Sequence, residues 1–229
     1  MSDYRVRYET LEFEDFDVHV RSLRDTQEFS DDTHKAERLG ISSAMWGIFG
    51  VLWPSGRILA KIAHDYDVEG KRVLEVGCGL ALASLVLAKR GADITATDYH
   101  PEAGSFLEAN CELNQCQPIP FVRASWENEG EGEDEALGRF DLIVGSDVLY
   151  ERDMVAPLVD FINRHANPTC EVLLMDPRRA NRGKFSSQME ALGWASSRSD
   201  IVGEPDDEPY TGQLLRFVRG QENPPTDEG

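Results

Sequence analysis

The chain has 229 residues, 41% of them hydrophobic, which is enough for one α/β domain with a buried core and leaves no room for a second large one. Its 42 acidic residues outnumber 23 basic ones, and the resulting net charge of −19 repels phosphate backbones and anionic membranes, so neither a nucleic acid nor a membrane is expected as a partner. No apolar run approaches the ~18 residues of a membrane span, and residues 1–23 alternate charged and apolar side chains too evenly for a signal peptide.

From the N-terminus, Leu11, Phe13, Phe16, Val18 and Val20 lie two apart but for one three-residue step from Phe13 to Phe16, and Leu23 follows, which predicts one or two strands of an accessory hairpin. Residues 24–40 are polar and loop-like, so 1–40 reads as an extension, 41–220 as the main domain and 221–229 as a disordered tail. Pro54 opens a helix with Ile58, Leu59, Ile62 and Ala63 on one face. Strands then follow near 72–76, 93–97, 119–124, 140–145 and 171–175, separated by helices near 80–90, 101–113, 152–166 and 181–192. Such alternation predicts a parallel sheet with right-handed crossovers. Two further strands, 194–202 and 213–218, are joined through a turn-rich segment, so the last runs antiparallel to its neighbour. The expected fold is a Rossmann-like α/β sheet of seven strands, parallel but for one strand near the C-terminus, with helices on both faces.

The four cysteines, Cys78, Cys111, Cys116 and Cys170, show neither a CxxC pair nor a histidine at zinc spacing, so they read as reduced thiols of a cytoplasmic protein, and no metal site is expected. The acidic run from Glu127 to Glu135 reads as a solvated loop, or alternatively as a landing site for a basic protein segment.

Open α/β sheets bind ligands beyond the carboxyl ends of their strands. The residues there are Glu75, Gly77, Cys78 and Gly79, then Asp98 and Tyr99, Ser125 and Trp126, and Ser146 to Tyr150. Glycines at 77 and 79 let the backbone turn sharply and approach a ligand, and Asp98 ends the next strand where a carboxylate would grip a ribose. A dinucleotide is disfavoured, because Leu82 takes the sixth position of the fingerprint, which wants glycine or alanine, and Glu75 would repel a pyrophosphate. No Gly-Lys-Ser/Thr follows Gly79. S-adenosylmethionine, with a sulfonium and an amino group beside an adenosine, suits acids at both ends, and Trp126 would cover its adenine or pack at the rim.

These motifs together resemble the seven-β-strand protein lysine methyltransferases. The likeness rests on Leu52-Trp53-Pro54-Ser55-Gly56, Glu75-Val76-Gly77-Cys78-Gly79, Thr97-Asp98, Ser125-Trp126 and Ser146-Asp147-Val148-Leu149-Tyr150, and runs from about residue 41 to 175. It implies that Glu75, Gly77 and Gly79 line the methionine end, Asp98 holds the ribose, Trp126 flanks the adenine and Trp53 borders the pocket. Asp147 and Tyr150 would then face the methyl group and an incoming amine. The sequence departs from the pattern at Ala81, where many members carry a third glycine, and at Tyr99-His100.

Methyl transfer to lysine needs a neutral amine although the side chain has an unperturbed pKa of about 10.4, so a site must orient the nitrogen and see its proton leave. Asp147 can hold the amine and Tyr150 can wall the channel; alternatively Asp147 caps a helix near Glu151 and Tyr150 is core. Val148 and Leu149 replace the prolines of the Asn/Asp-Pro-Pro-Tyr run found in enzymes that methylate planar amides or aromatic amines, which favours an aliphatic amine. Arg178 and Arg179 read as surface charges, or as contacts for an acidic substrate. The expected activity is methylation of a protein on lysine, with histidine as a second acceptor; a small-molecule methyltransferase and a non-catalytic binding module are the alternatives.

Overall fold

The computed structural model describes residues 4–127, 137–205 and 209–220, so the tail 221–229 and all of the acidic run after Glu127 lie outside the described residues. Strands β1 (Val6–Glu12) and β2 (Asp17–Leu23) form an antiparallel hairpin. The first strand starts five residues before the expected Leu11, because Tyr8 points outward, 65% exposed, and conceals the alternation from a count of apolar residues. The three-residue step is the turn, closed by the Phe13 N–H on the Phe16 carbonyl at 3.0 Å.

Residues 24–40 are not all loop: helix α1 (Lys35–Arg38) forms because Asp31 Oδ1 and Oδ2 accept the N–H groups of Lys35 and Glu37 at 2.9 and 2.8 Å. Helix α2 (Pro54–Asp65) has Pro54 in its first turn, where a missing N–H costs nothing, and buries Ile58, Leu59 and Ala63. The chain then alternates: β3 (Arg72–Val76), α3 (Leu82–Lys89), β4 (Asp93–Asp98), α4 (Ala103–Leu113), β5 (Phe121–Arg123), β6 (Phe140–Ser146), α5 (Val155–His165), β7 (Ala166–Asp176), α6 (Arg182–Ala191), β8 (Ala195–Gly203) and β9 (Tyr210–Arg219).

Strands β3 to β9 make one sheet in the order β5-β4-β3-β6-β7-β9-β8, parallel except that β9 runs antiparallel to both β7 and β8. Central strands covered on both faces are mostly apolar, which is why they read as near-continuous runs. Val73, Leu142, Val144 and Leu173 share a core with α2, α3, α4 and the hairpin, while Leu74, Val76, Ile143 and Leu174 pack with α5 and α6. The chain winds outward from β3 to β5 and returns to β6, so the order reverses between β3 and β6 and opens a crevice there.

The hairpin docks through two asparagines one turn apart on α4. Asn110 and Asn114 accept the N–H groups of Arg21 and His19 at 2.7 and 2.9 Å and donate to the same residues' carbonyls, so they satisfy the edge of β2 as a neighbouring strand would. Among the described residues no helix is long and apolar enough to cross a membrane.

Candidate active site

The turn after β3 is built from left-handed residues. Gly77 and Gly79 have φ of +58° and +53°. A Cβ on Gly77 would stand 2.8 Å from Val148 Cγ1, and one on Gly79 would stand 2.9 Å from the Phe49 carbonyl oxygen, so both positions exclude a side chain on space as well as conformation. Ala81, at the position where the resemblance expects a third glycine, is also left-handed, with φ of 56°. Alanine meets the same backbone demand there at a cost of about 1–2 kcal/mol. Cys78 contributes its backbone, whose N–H reaches the Thr97 carbonyl at 2.9 Å; its thiol is buried, which pushes it well above the usual range.

Two acids hold the turn in place. Glu75 is 3% exposed, and one of its oxygens accepts both the N–H and the hydroxyl of Ser84 at 2.9 and 2.5 Å, which satisfies a free N–H in the first turn of α3. Burial pushes its carboxyl up to about 7, against the Ser84 hydrogen bonds, and the nearby Asp98 adds to the rise. Asp98 accepts the N–H of Gly79 on one oxygen and that of His100 on the other, both at 2.8 Å, tying the end of β4 to the turn. The unusual Tyr99-His100 pair splits. The His100 ring lies on the Phe49 ring, 3.8 Å between centroids, and burial pulls its pKa down to about 4, so it is neutral. Tyr99 turns outward and donates to the Leu39 carbonyl at 2.6 Å, anchoring the segment before α2.

The other loops close on the same crevice. The rim of the Trp126 ring comes within 3.5 Å of where a Gly77 Cβ would stand, so this indole covers the turn. Ser125 takes the Glu127 N–H on its hydroxyl at 3.3 Å, which shapes that loop. Ser146 Oγ lies 3.5 Å from where Gly56 would carry a Cβ, bringing the N-terminus of α2 over the end of β6. Trp53 stands at that N-terminus, 37% exposed, with its indole N–H on the Ile48 carbonyl at 3.0 Å.

Asp147 follows β6 directly and is left-handed, φ 54°, with its N–H on the Met175 carbonyl of β7 at 2.9 Å. It caps no helix: α5 begins only at Val155, and both Asp147 oxygens are taken by Arg179, whose Nε and Nη2 donate at 2.7 and 2.9 Å. Arg179 is therefore not a plain surface charge. Its own N–H is fixed by Asp176 Oδ1 at 2.7 Å. Tyr150 is 45% exposed rather than core, and burial of its hydroxyl, with Glu151, Asp98 and Asp147 near, pushes that group up to about 12.

Sequence reasoning took Arg179 for a surface charge or a contact for an acidic substrate, quoted Ser55 only as part of the Leu52–Gly56 run, and missed Tyr210 and the part played by Asp176. Asp176 is 1% exposed at the end of β7, and its burial pushes its carboxyl up. Tyr210 shares a buried 2.7 Å hydrogen bond with Ser55 and lies within electrostatic reach of Asp147, Asp176 and Arg179. The Asp-Pro-Arg-Arg run at the end of a strand was the available signal for Asp176 and Arg179; nothing in the spacing links Ser55 to Tyr210, 155 residues away.

A sheet with this strand order and its glycine turn at the reversal defines the Rossmann-like methyltransferase fold. The same fold appears in magnesium protoporphyrin IX methyltransferase of Synechocystis, solved with bound S-adenosylmethionine, at a TM-score of 0.53 and 16% identity over 76% of this chain and 88% of that one. The chain belongs to the lysine methyltransferase family, whose model matches residues 34–192. It is 35% identical to the electron transfer flavoprotein beta subunit lysine methyltransferase of Xenopus laevis over 62% of this chain and 54% of that protein. It is 31% identical to protein N-lysine methyltransferase METTL21A of Danio rerio over 64% of this chain and 68% of that one. The chain spans about half the length of the electron transfer flavoprotein relatives it matches.

Proposed function

We propose that this chain transfers methyl groups from S-adenosylmethionine to lysine side chains of a protein. The observation that carries the reading is contact between the two loops the chemistry needs: Val148, inside the Asp147–Tyr150 loop, fills the space a side chain on Gly77 would occupy. A carboxylate for the amine is thus anchored against the turn for the cofactor.

The residues fit the cofactor. Gly77 and Gly79 set a tight left-handed turn at the strand end, Asp98 offers carboxylate oxygens to a ribose, and Trp126 offers a flat face beside them. Glu75 acts from behind, by orienting the first turn of α3 through Ser84. When bound, S-adenosylmethionine supplies a methyl carbon made electrophilic by its positive sulfur. Asp147 fixes the direction from which the amine nitrogen approaches, and Tyr150, protonated at neutral pH, walls the approach and offers a hydrogen bond. The three cysteines of the core and the partly covered Cys116 are all unpaired, which suits a reducing compartment, and the cytoplasm is the location we assign. A basic segment on the substrate would complement the net charge of −19.

Incubation with tritiated S-adenosylmethionine and a cell lysate tests the reading, with the electron transfer flavoprotein beta subunit as the first defined acceptor. Label on a protein band, recovered as methyllysine after hydrolysis, is expected. Label only in small molecules, or cofactor binding without turnover, contradicts it.

A further inference from the structure

The connection from β7 to α6 is laced onto the loop after β6. Arg179 grips Asp147, Asn181 Nδ2 donates to the Leu149 carbonyl at 2.8 Å, and Lys184 Nζ donates to the Arg152 carbonyl at 3.1 Å. Arg178 is left-handed, φ 66°, so consecutive arginines diverge: Arg178 reaches Asp200 on β8 at 3.0 Å while Arg179 turns in over Asp147.

A guanidinium in this fork geometry takes one lone pair from each carboxylate oxygen and leaves the outer lone pairs for another donor. It also stays charged at any working pH, and here its hydrogen bond to Asp147 pushes its pKa up further. The Asp147 side chain keeps 12% of its surface exposed beside Arg179. We propose, building on the lysine reading above, that Arg179 is a positioning residue that cancels the charge of Asp147, so that the site takes the lysine nitrogen as free amine and not as ammonium. The ammonium gives its proton to water on entry, and the nitrogen keeps its lone pair.

The surrounding charges support this balance. Arg179 is faced by Asp147 and Tyr150 from the loop after β6 and by Asp176 from the end of β7. Arg182 of α6 stands 3.7 Å from Asp176, Tyr210 of β9 faces the same two acids, and Glu151 and Asp98 act on Tyr150. With Arg179 present, Asp147 and Asp176 each have an arginine beside them, and the negative charge left around Tyr150 is that of Asp98 and Glu151. Without it, a bare carboxylate meets the amine, and an opposite charge at that range raises the pKa of a cation by about 1–3 units.

The test uses the full chain saturated with S-adenosylhomocysteine and n-butylamine as the probe of a lysine side-chain end, titrated at pH 7 and pH 9.5 by NMR. In the unmodified protein the apparent affinity should rise at least about tenfold between the two, following the free amine. Arg179→Ala should bind butylammonium at pH 7 about tenfold more tightly than the unmodified protein and change less than about threefold with pH. Arg178→Ala should behave as the unmodified protein, and Arg179→Lys should restore part of the pH dependence. The same pH dependence with and without Arg179, or no butylamine binding to the unmodified protein at either pH, overturns the proposal. Should Arg179→Ala melt early or lose S-adenosylhomocysteine affinity, Arg179→Gln, which keeps a donor on Asp147 without the charge, carries the same expectation and the same overturning result. Failed lysate labelling beside the expected butylamine profile would instead count against the protein acceptor alone.

Discussion

On the β3–β4 side of the crevice, contacts are made by backbone groups and buried acids close in sequence: Glu75 with Ser84 nine residues on, and Gly79 with Asp98 nineteen on. On the β6–β7 side, Asp147 with Arg179, Leu149 with Asn181 and Arg152 with Lys184 are each 32 residues apart and all rest on long polar side chains. The first side is a preformed cradle whose failure costs the fold as well as the ligand. The second is two loops held together by charge, so changes there should alter the reaction before they alter stability.

The sharpest way to break this contrast is at Gly79. Alanine there takes a left-handed conformation and sets a Cβ 2.9 Å from a backbone oxygen that cannot swing aside, a combined cost of about 2–4 kcal/mol. Thermal unfolding should show a clear loss of stability, and calorimetry should show S-adenosylmethionine affinity reduced at least about a hundredfold. An unchanged melting temperature would mean that the turn is pliant. Asp98→Ala removes the acceptor of two N–H groups and the proposed ribose partner, and should weaken cofactor binding at least about tenfold, since a charge-assisted hydrogen bond contributes about 1.5–3 kcal/mol. Unchanged affinity would take Asp98 out of the site.

Glu75 gives the smallest and most pH-specific effect. Its folded carboxyl titrates at about 7 and its unfolded one at about 4.5, so between these values the folded protein holds a proton that the unfolded chain has lost. The stability from protonated Glu75 is complete below about 4.5 and falls as pH rises through about 7. Glu75→Gln removes that dependence while keeping an acceptor for Ser84. Urea unfolding should show the variant gaining on the unmodified protein by about 1–3 kcal/mol at pH 8 relative to pH 5. A difference that is flat with pH would show that the carboxyl is not buried as described.

The parallel core was legible because its buried strands carry runs of apolar and β-branched residues: β3 lies at 72–76 as expected, and β4 and β6 each extend one residue beyond expectation. Strand β7 was expected only from 171, because Asn167 and Pro168 disfavour strand; pairing of Ala166 with Phe140 across a register shift overrides that, and α5 passes into β7 without a loop. Helix α5 starts three residues late, as 151–154 form a turn after the Asp147 loop. The cradle was legible because its glycines and acids form a short motif. Arg179 was not, since its partner lies 32 residues away and no local period connects them.

Asp147→Asn tests the central claim most directly, because it keeps the size and a hydrogen bond to Arg179 while removing the charge. Measured side by side, S-adenosylhomocysteine affinity should stay within several-fold while methyl transfer to protein falls at least about a hundredfold, the scale of a lost positioning group. A joint collapse of binding and turnover would make Asp147 a cofactor ligand or a structural strut, and no change in either would remove the loop after β6 from the chemistry.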